Sequence, residues 1–408
     1  MKRILSAILL LLLVAFESIA QKFNVDTQLR YCHGQVLRSL KELSPIDYTK
    51  IPRNIGADEQ HWNLRNAKTA EEWCSGFWPG ILWMTGSVIH ESPSAESDKM
   101  TIIDAAAGYT AELEFLAHQS AYDHDLGFQM IGSFLKGYEY LPEGSSLREQ
   151  YKKTLLNAAD TLATLFNEKA GTILSWPRNI GMFGGHNTIM DNMINLELLF
   201  WASNNGGGRQ LYDIATKHAL TTMRHHFRKD GSINHVAVYD INTGKHLRNC
   251  NHQGFNDESL WSRGQSWAIY GYTMVYRFTH DKRFLRQAIK SADIMLSQLP
   301  DDGIPYWDMR DPKIPNTYRD ASAAAVIADA LIELSGYVTG KKSAYYMTMA
   351  EKMLATLSSP EYLSESKNPA FLMHSVGNWP AGSEIDYSIN YADYYYIEAL
   401  LRLKAKQP

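Results

Sequence analysis

"TLLNAADTLATLF", residues 154–166, decides the fold class. Its apolar residues Leu155, Ala158, Ala159, Leu162 and Phe166 recur at three- and four-residue intervals, with Asn157, Asp160 and Thr161 between them. That period builds a helix with one buried stripe; a strand, whose side chains alternate, would bury half of its polar residues instead. "YADYYYIEALLRL" (391–403) repeats the pattern at the far end of the chain.

Read outward from these two segments, the same periodicity predicts helices at about 24–43, 74–90, 97–118, 128–140, 146–167, 189–203, 208–227, 264–279, 281–299, 320–336, 340–357 and 388–405. Pro142 and Gly144 separate one pair, Gly206–Gly208 another, and Gly336 with Gly340 a third. The fold class is therefore all-α. Twelve helices joined as hairpins suit a toroid of six inner and six outer helices. The rival is a helical-repeat solenoid, and no clean period of 34 or 40 residues supports it. The clearest non-helical insert is a small β-hairpin around 231–251, where "INHVAVYDINTGKHLRNC" reads as two strands about an Asn-Thr-Gly turn. "DINTG" lacks the later acidic ligand of a calcium loop, so a plain hairpin is the expectation.

The chain has 408 residues, 45% hydrophobic and 21% charged, which is the balance of a globular protein. A net charge of −4 provides no basic field, which argues against nucleic acid as partner. Aromatics reach 12%, including 10 Trp and 23 Tyr, which serves core packing and also suits the stacking of sugar rings. "MKRILSAILLLLLVAFESIAQ" has two basic residues, an apolar run from Ile4 to Phe16, and Ser18-Ile19-Ala20. This is the pattern of a secretory signal peptide at 1–20, cleaved after Ala20. The run is short for a membrane span and no cysteine lies at the cleavage site. A periplasmic or secreted location is expected, with 21–408 as one continuous domain. Cys32, Cys74 and Cys250 stand at no metal-like spacing and are expected as free thiols, with one disulfide left open.

Four segments concentrate polar and aromatic residues at or just before expected helix starts. They are "EEWCSGFWPGILW" (71–83), "YDHDLGF" (122–128), "HNTIMDNMINLELLFWAS" (186–203) and "HQGFNDESLWSRGQSWAIYGY" (252–272). In a toroid, the loops at one end of the inner helices converge on a central cleft, so these are the segments to bring together. Asp191 fits a capping box with Thr188 as N-cap, and Asp125 fits an N-cap ahead of Phe128. Both also suit acid–base chemistry, because a carboxyl at an oily helix mouth is desolvated and holds its proton to higher pH. Paired carboxylates in unlike environments are the usual machinery for cleaving a glycosidic linkage. His124, His186, His235 and His252 include no H-x-x-x-H pair, so no metal is expected and hydrogen bonding to sugar hydroxyls is the reading for them. Arg263 suits either a substrate carboxylate or a buried ion pair. Trp78, Trp176 and Trp267 suit either a sugar site or the core.

Together "HDLGF", "MDNMINLELLFWAS", "WSRGQSWAIYGY", "PYWDM" with "RDASAAAVIADALIEL", and "DYSINYADYYYIEALLRL" resemble the unsaturated glucuronyl hydrolases, glycoside hydrolase family 88, over roughly residues 30–405. The resemblance implies an (α/α)6 barrel that removes the 4,5-unsaturated uronic acid left by polysaccharide lyases at the non-reducing end of glycosaminoglycan oligosaccharides. It implies hydration of the enol ether, with Asp191 as general acid and base and Asp125 as the second essential carboxylate. It also implies His235 and Gln253 at the sugar hydroxyls and the water, Arg263, Trp267, Trp176 and Trp78 as site wall, and no metal or organic cofactor. Members that favour certain sulfated disaccharides carry Ser and Lys before the last helix. "MHSVGNWPAGSEIDYS" (373–388) has Ser375 but no lysine close behind it, so chondroitin, hyaluronan and heparin-like parents all stay open. Two alternatives remain at this level: an unsaturated rhamnogalacturonyl hydrolase acting on pectin fragments, and a non-catalytic helical glycan-binding protein.

Overall fold

The computed structural model describes residues 23–88 and 95–407. The expected signal peptide at 1–20, and residues 89–90 of the second expected helix, lie outside them.

Each of the twelve expected helical regions contains a helix within the described residues. In chain order these are α1 (Val25–Glu42), α2 (Phe77–Gly86), α3 (Ala95–Ala111), α4, α5 (Ser146–Ala163), α6 (Asn192–Asn204), α7 (Arg209–His225), α8 (Ser262–Thr279), α9 (Lys282–Leu296), α10 (Ala321–Ser335), α11 (Gly340–Leu357) and α12 (Asn390–Lys404). Here α4 comprises Leu126–Met130, a π turn at Ile131–Leu135, and Lys136–Tyr140. Odd-numbered helices are amphipathic and lie outside: α1 buries Val25, Leu29, Cys32 and Val36 and leaves its other face to water. Even-numbered helices are buried over most of their length and lie inside; all of α2 is buried, as is α10 apart from one residue. The inner helices pack in the order α2, α4, α6, α8, α10, α12, and α12 returns to α2, so the ring closes. This is the (α/α)6 barrel. Glycines permit the tightest approach in it: a Cβ on Gly80 of α2 would lie 2.2 Å from the Gly132 carbonyl of α4.

Polar side chains at several helix starts take up free backbone N–H groups. Asn24 accepts from Thr27 N, Ser145 from Arg148 N, and Asp320 from Ser322 N and Ala323 N.

The expected hairpin forms as β6 (Val236–Tyr239) and β7 (His246–Cys250), with Asp240 Oδ1 accepting from Asn242 N and Thr243 N in the turn. It is part of a larger sheet. Residues 186–189, at the edge of an expected helix, form strand β5 (His186–Ile189) and pair with β6, so α6 starts only at Asn192. A four-stranded sheet that periodicity did not reveal has the order β2-β1-β9-β8. Its strands are β1 (Lys50–Ile55), β2 (Asn63–Asn66), β8 (Ser375–Asn378) and β9 (Ser383–Ile389), while β3 (Phe166–Asn167) and β4 (Thr172–Ile173) pair in a separate two-stranded sheet. It joins segments more than three hundred residues apart, Asn54 facing Ile389, and pushes the start of α12 back to Asn390. Cys32, Cys74 and Cys250 are free thiols, the first two buried.

Inner-helix N-termini all point to one end of the barrel. Near the C-termini lies a charged network: Lys136 pairs with Glu398 (2.8 Å), Arg277 with Glu197 (2.7 Å), and Arg402 with Asp329 (2.9 Å) and Glu333. These cations also meet the negative ends of the helix dipoles.

Candidate active site

Asp125 and Asp191 occupy the N-cap positions of α4 and α6, and neither side chain makes a capping hydrogen bond. The capping-box reading of Asp191 fails for a local reason. Thr188 belongs to β5 and its hydroxyl donates to the Ile173 carbonyl (3.0 Å), so it is not the cap. Capping therefore accounts for neither carboxylate.

Both line one cavity of about 210 Å³ at the N-terminal end of the inner ring. Gln253, Arg263 and Trp176 line it too, as expected from sequence. Trp176 sits among three histidines and stacks on Phe183, ring centroids 5.9 Å apart. Trp73 lines the cavity, whereas Trp78 does not. Trp78 is 2% exposed and packs on Trp62 and Tyr109 between helices. The two tryptophans share one dense segment, and since α2 begins only at Phe77, helical phase could not choose between them. Trp267 is fully buried against Phe128 and Tyr395; its indole N–H faces the Asp191 carboxyl and has no closer acceptor.

Arg263 is 1% exposed. Its two Nη atoms donate to the carbonyls of Val376 and Gly377 in β8, and Nη1 lies 3.6 Å from Asp320. Most of its donors thus anchor the strand whose last residue, Asn378, lines the cavity; Nε alone has no partner. The ion pair expected as one alternative is present with Asp320, and Arg263 also lines the cavity. Sequence reasoning missed Asp123 and Arg178. Asp123 accepts the Asp125 backbone N–H through Oδ1 (2.9 Å) and Arg178 Nη1 through Oδ2 (2.7 Å), which fixes the loop that presents Asp125. The signal was the adjacency in "YDHD" and "WPR".

Of the four histidines, His252 lines the cavity, whereas His124 and His235 lie behind the two carboxylates and face them. His235 Nδ1 accepts from the backbone N–H groups of His252 and Gln253 (both 3.3 Å), which puts the proton on Nε2, 3.7 Å from Asp191 Oδ2. His124 Nε2 lies 3.4 Å from Asp125 Oδ1. Burial holds both rings neutral: it lowers His124 to about 3 and His235 far below the usual range. His186 in β5 pairs with the hydroxyl of Thr172 in β4 instead (2.9 Å). Among the described residues, no group of three His, Cys, Asp or Glu converges as a metal site.

Burial also raises the carboxyls. Asp191 is pushed up to about 7, with Arg263 pulling it back, and Asp125 is raised well above the carboxylate range by burial, by Asp123 and by Asp191. Asp125 titrates together with Asp123 beside it, and the charge of Asp191 raises it further, so Asp125 and Asp191 compete for a proton near neutrality.

The sequence profile of Glycosyl Hydrolase Family 88 matches residues 148–402. The chain belongs to this family. It is 41% identical over 362 residues, covering 88% of this chain and 86% of the other, to an unsaturated glucuronyl hydrolase of Formosa agariphila. It is 30% identical over 368 residues (88% and 87% covered) to an unsaturated chondroitin disaccharide hydrolase of Streptococcus pyogenes serotype M1. Among solved structures, an unsaturated glucuronyl hydrolase specific for heparin superimposes with a TM-score of 0.83 at 37% identity, covering 93% of this chain and 97% of that one. The glucuronyl hydrolase of Bacillus sp. GL1, responsible for degrading glycosaminoglycan, superimposes with a TM-score of 0.81 at 28% identity, with 93% and 97% covered. A glycoside hydrolase on an (α/α)6 barrel is thus established from sequence and fold together.

Proposed function

We propose that this family member removes the 4,5-unsaturated uronic acid from the non-reducing end of lyase-generated glycosaminoglycan oligosaccharides, and does so in the periplasm or outside the cell. The observation that carries the chemistry is a buried carboxyl, Asp191, that keeps its proton up to about pH 7 beside a second carboxyl in one cavity. An enol ether is a weak base, and its protonation needs an acid of this kind.

Asp191 delivers its proton to C4, and the ring oxygen stabilises the cation that develops at C5. Water adds at C5 and returns its proton to Asp191, which restores the acid. The resulting hemiketal opens, breaking the C5–ring oxygen bond, and the hemiacetal so exposed at C1 expels the remaining sugar. Asp125 lies close enough to Asp191 for their charges to interact, so the negative charge left after proton transfer sits beside the developing cation. The N–H groups of His235 and Trp267 face Asp191 and steady the carboxylate form. Trp176 and Trp73 supply apolar faces for the sugar rings.

Incubation with unsaturated disaccharides from chondroitin, heparin and rhamnogalacturonan tests the reading. Hydration abolishes the ultraviolet absorbance of the C4=C5 bond, so its loss with a glycosaminoglycan disaccharide is the expected result. Turnover of the pectin disaccharide alone, or binding without loss of absorbance, would overturn it. The expected leader at 1–20 is checked by cell fractionation and N-terminal sequencing of the mature protein.

A further inference from the structure

Asn195 is wholly buried on α6, one turn beyond Asp191. Its Oδ1 accepts the backbone N–H of Phe128 at 2.7 Å. A backbone N–H only donates, so this contact settles which end of the amide is oxygen. The other end, Nδ2, is then a donor, and it lies 3.0 Å from His124 Nδ1. His124 Nδ1 must receive that hydrogen bond with a lone pair, which leaves the single proton of the neutral ring on Nε2. That atom is 3.4 Å from Asp125 Oδ1. Asn192 Oδ1, the other acceptor near it, has no competing partner, because Asn192 spends its NH2 on Ile173 O and Ser175 Oγ. Both neighbours of Nε2 therefore call for a donor.

The α4 backbone is shaped for this arrangement. Gly127 lies over Asn195, and a Cβ there would come within 2.4 Å of Asn195 Oδ1 and 2.6 Å of its Cα. The glycine in "HDLGF" is thus explained by the close approach of one amide side chain.

We propose that Asn195 is a positioning residue that locks His124 in the Nε2–H tautomer and so aims a fixed hydrogen-bond donor at Asp125. The inference rests on the proposed reaction for its catalytic consequence, though not for its structural content. With the proton on Nε2, His124 favours the ionised form of Asp125 and leaves the shared proton to Asp191. With the proton on Nδ1, a lone pair would face Asp125, draw the shared proton to it, and strip the acid from Asp191. The neighbouring lock on His235 uses only main-chain N–H groups, so Asn195 is the one of the two that substitution can reach.

Asn195→Asp is the test, since a carboxylate keeps the shape and still accepts from Phe128 N–H but now also accepts from His124. Protein labelled with 15N-histidine, with the His124 signal assigned through His124→Gln, reports the tautomer directly. The expected result is Nε2–H in the wild type and a protonated Nδ1 in Asn195→Asp. The kcat on an unsaturated disaccharide is expected to fall about 10- to 100-fold with KM little changed, the scale of lost support behind a working group. In a His124→Gln background the same substitution should add nothing. An Nδ1–H tautomer in the wild type, an unchanged tautomer in Asn195→Asp, or a further loss in the His124→Gln background overturns the proposal. If the wild type turns over no unsaturated disaccharide, the proposed reaction fails while the tautomer measurement still decides the role of Asn195.

Discussion

Asp191→Asn separates the acid from the helix start it occupies. Asn is as good an N-cap residue as Asp, and the Asp191 side chain makes no cap bond, so the helix loses nothing. The rate should fall roughly 100- to 10,000-fold, the worth of a positioned acid–base group. Stability should change with pH in a defined sense. Folding raises the carboxyl from 3.8 to about 7, so the folded protein retains a proton that the unfolded chain has already lost. The stability tied to that proton is complete below about pH 4 and is lost as pH rises through about 7. At about 1.4 kcal/mol per pH unit, three units amount to an upper limit of about 4 kcal/mol, which the variant does not lose. Urea unfolding at pH 5 and pH 9 should therefore show Asp191→Asn gaining on the wild type at the higher pH. Kinetics by loss of ultraviolet absorbance provides the other half. Activity within tenfold of the wild type, or a stability difference that ignores pH, would refute the assignment.

Asp125→Asn removes the like charge that Asp191 faces, so the remaining acid should lose its proton earlier and the alkaline limb of residual kcat/KM should move to lower pH; a pH–rate profile checks this, and an unmoved limb denies the coupling. Trp176→Ala should raise KM about tenfold by removing a ring face from the cavity, while Trp78→Ala should cost about 3–5 kcal/mol in denaturation with KM preserved. The reverse pattern would put Trp78 in the site. Arg402→Met leaves Asp329, Glu333 and Glu398 short of a partner near the C-termini of the inner helices and should lower stability by about 3–5 kcal/mol at neutral pH, measured by urea unfolding. A loss under 1 kcal/mol would show that network to be dispensable.

The twelve helices and the hairpin could be read directly, because a helix is decided by residues three and four apart, all present in a stretch such as "TLLNAADTLATLF". The dense polar segments and the placing of Asp125 and Asp191 at helix mouths followed from the same local logic. Other features depend on residues far away in the chain. β1 meets β9 across more than three hundred residues, and that pairing moved the start of α12. Strand β5, drawn to β6 beside it, runs through Ile189, the first residue of an expected helix, and Thr188 lost its capping role with it. Trp73 and Trp78 are equivalent in the sequence until packing buries one and opens the other. Sequence alone thus determined the helices and the residue types delivered to one end of the ring. Tertiary structure decided the protonation of Asp191, the tautomers of His124 and His235, and the anchoring of Arg263. Desolvation and charge act through space, and the groups that exert them here come from different helices.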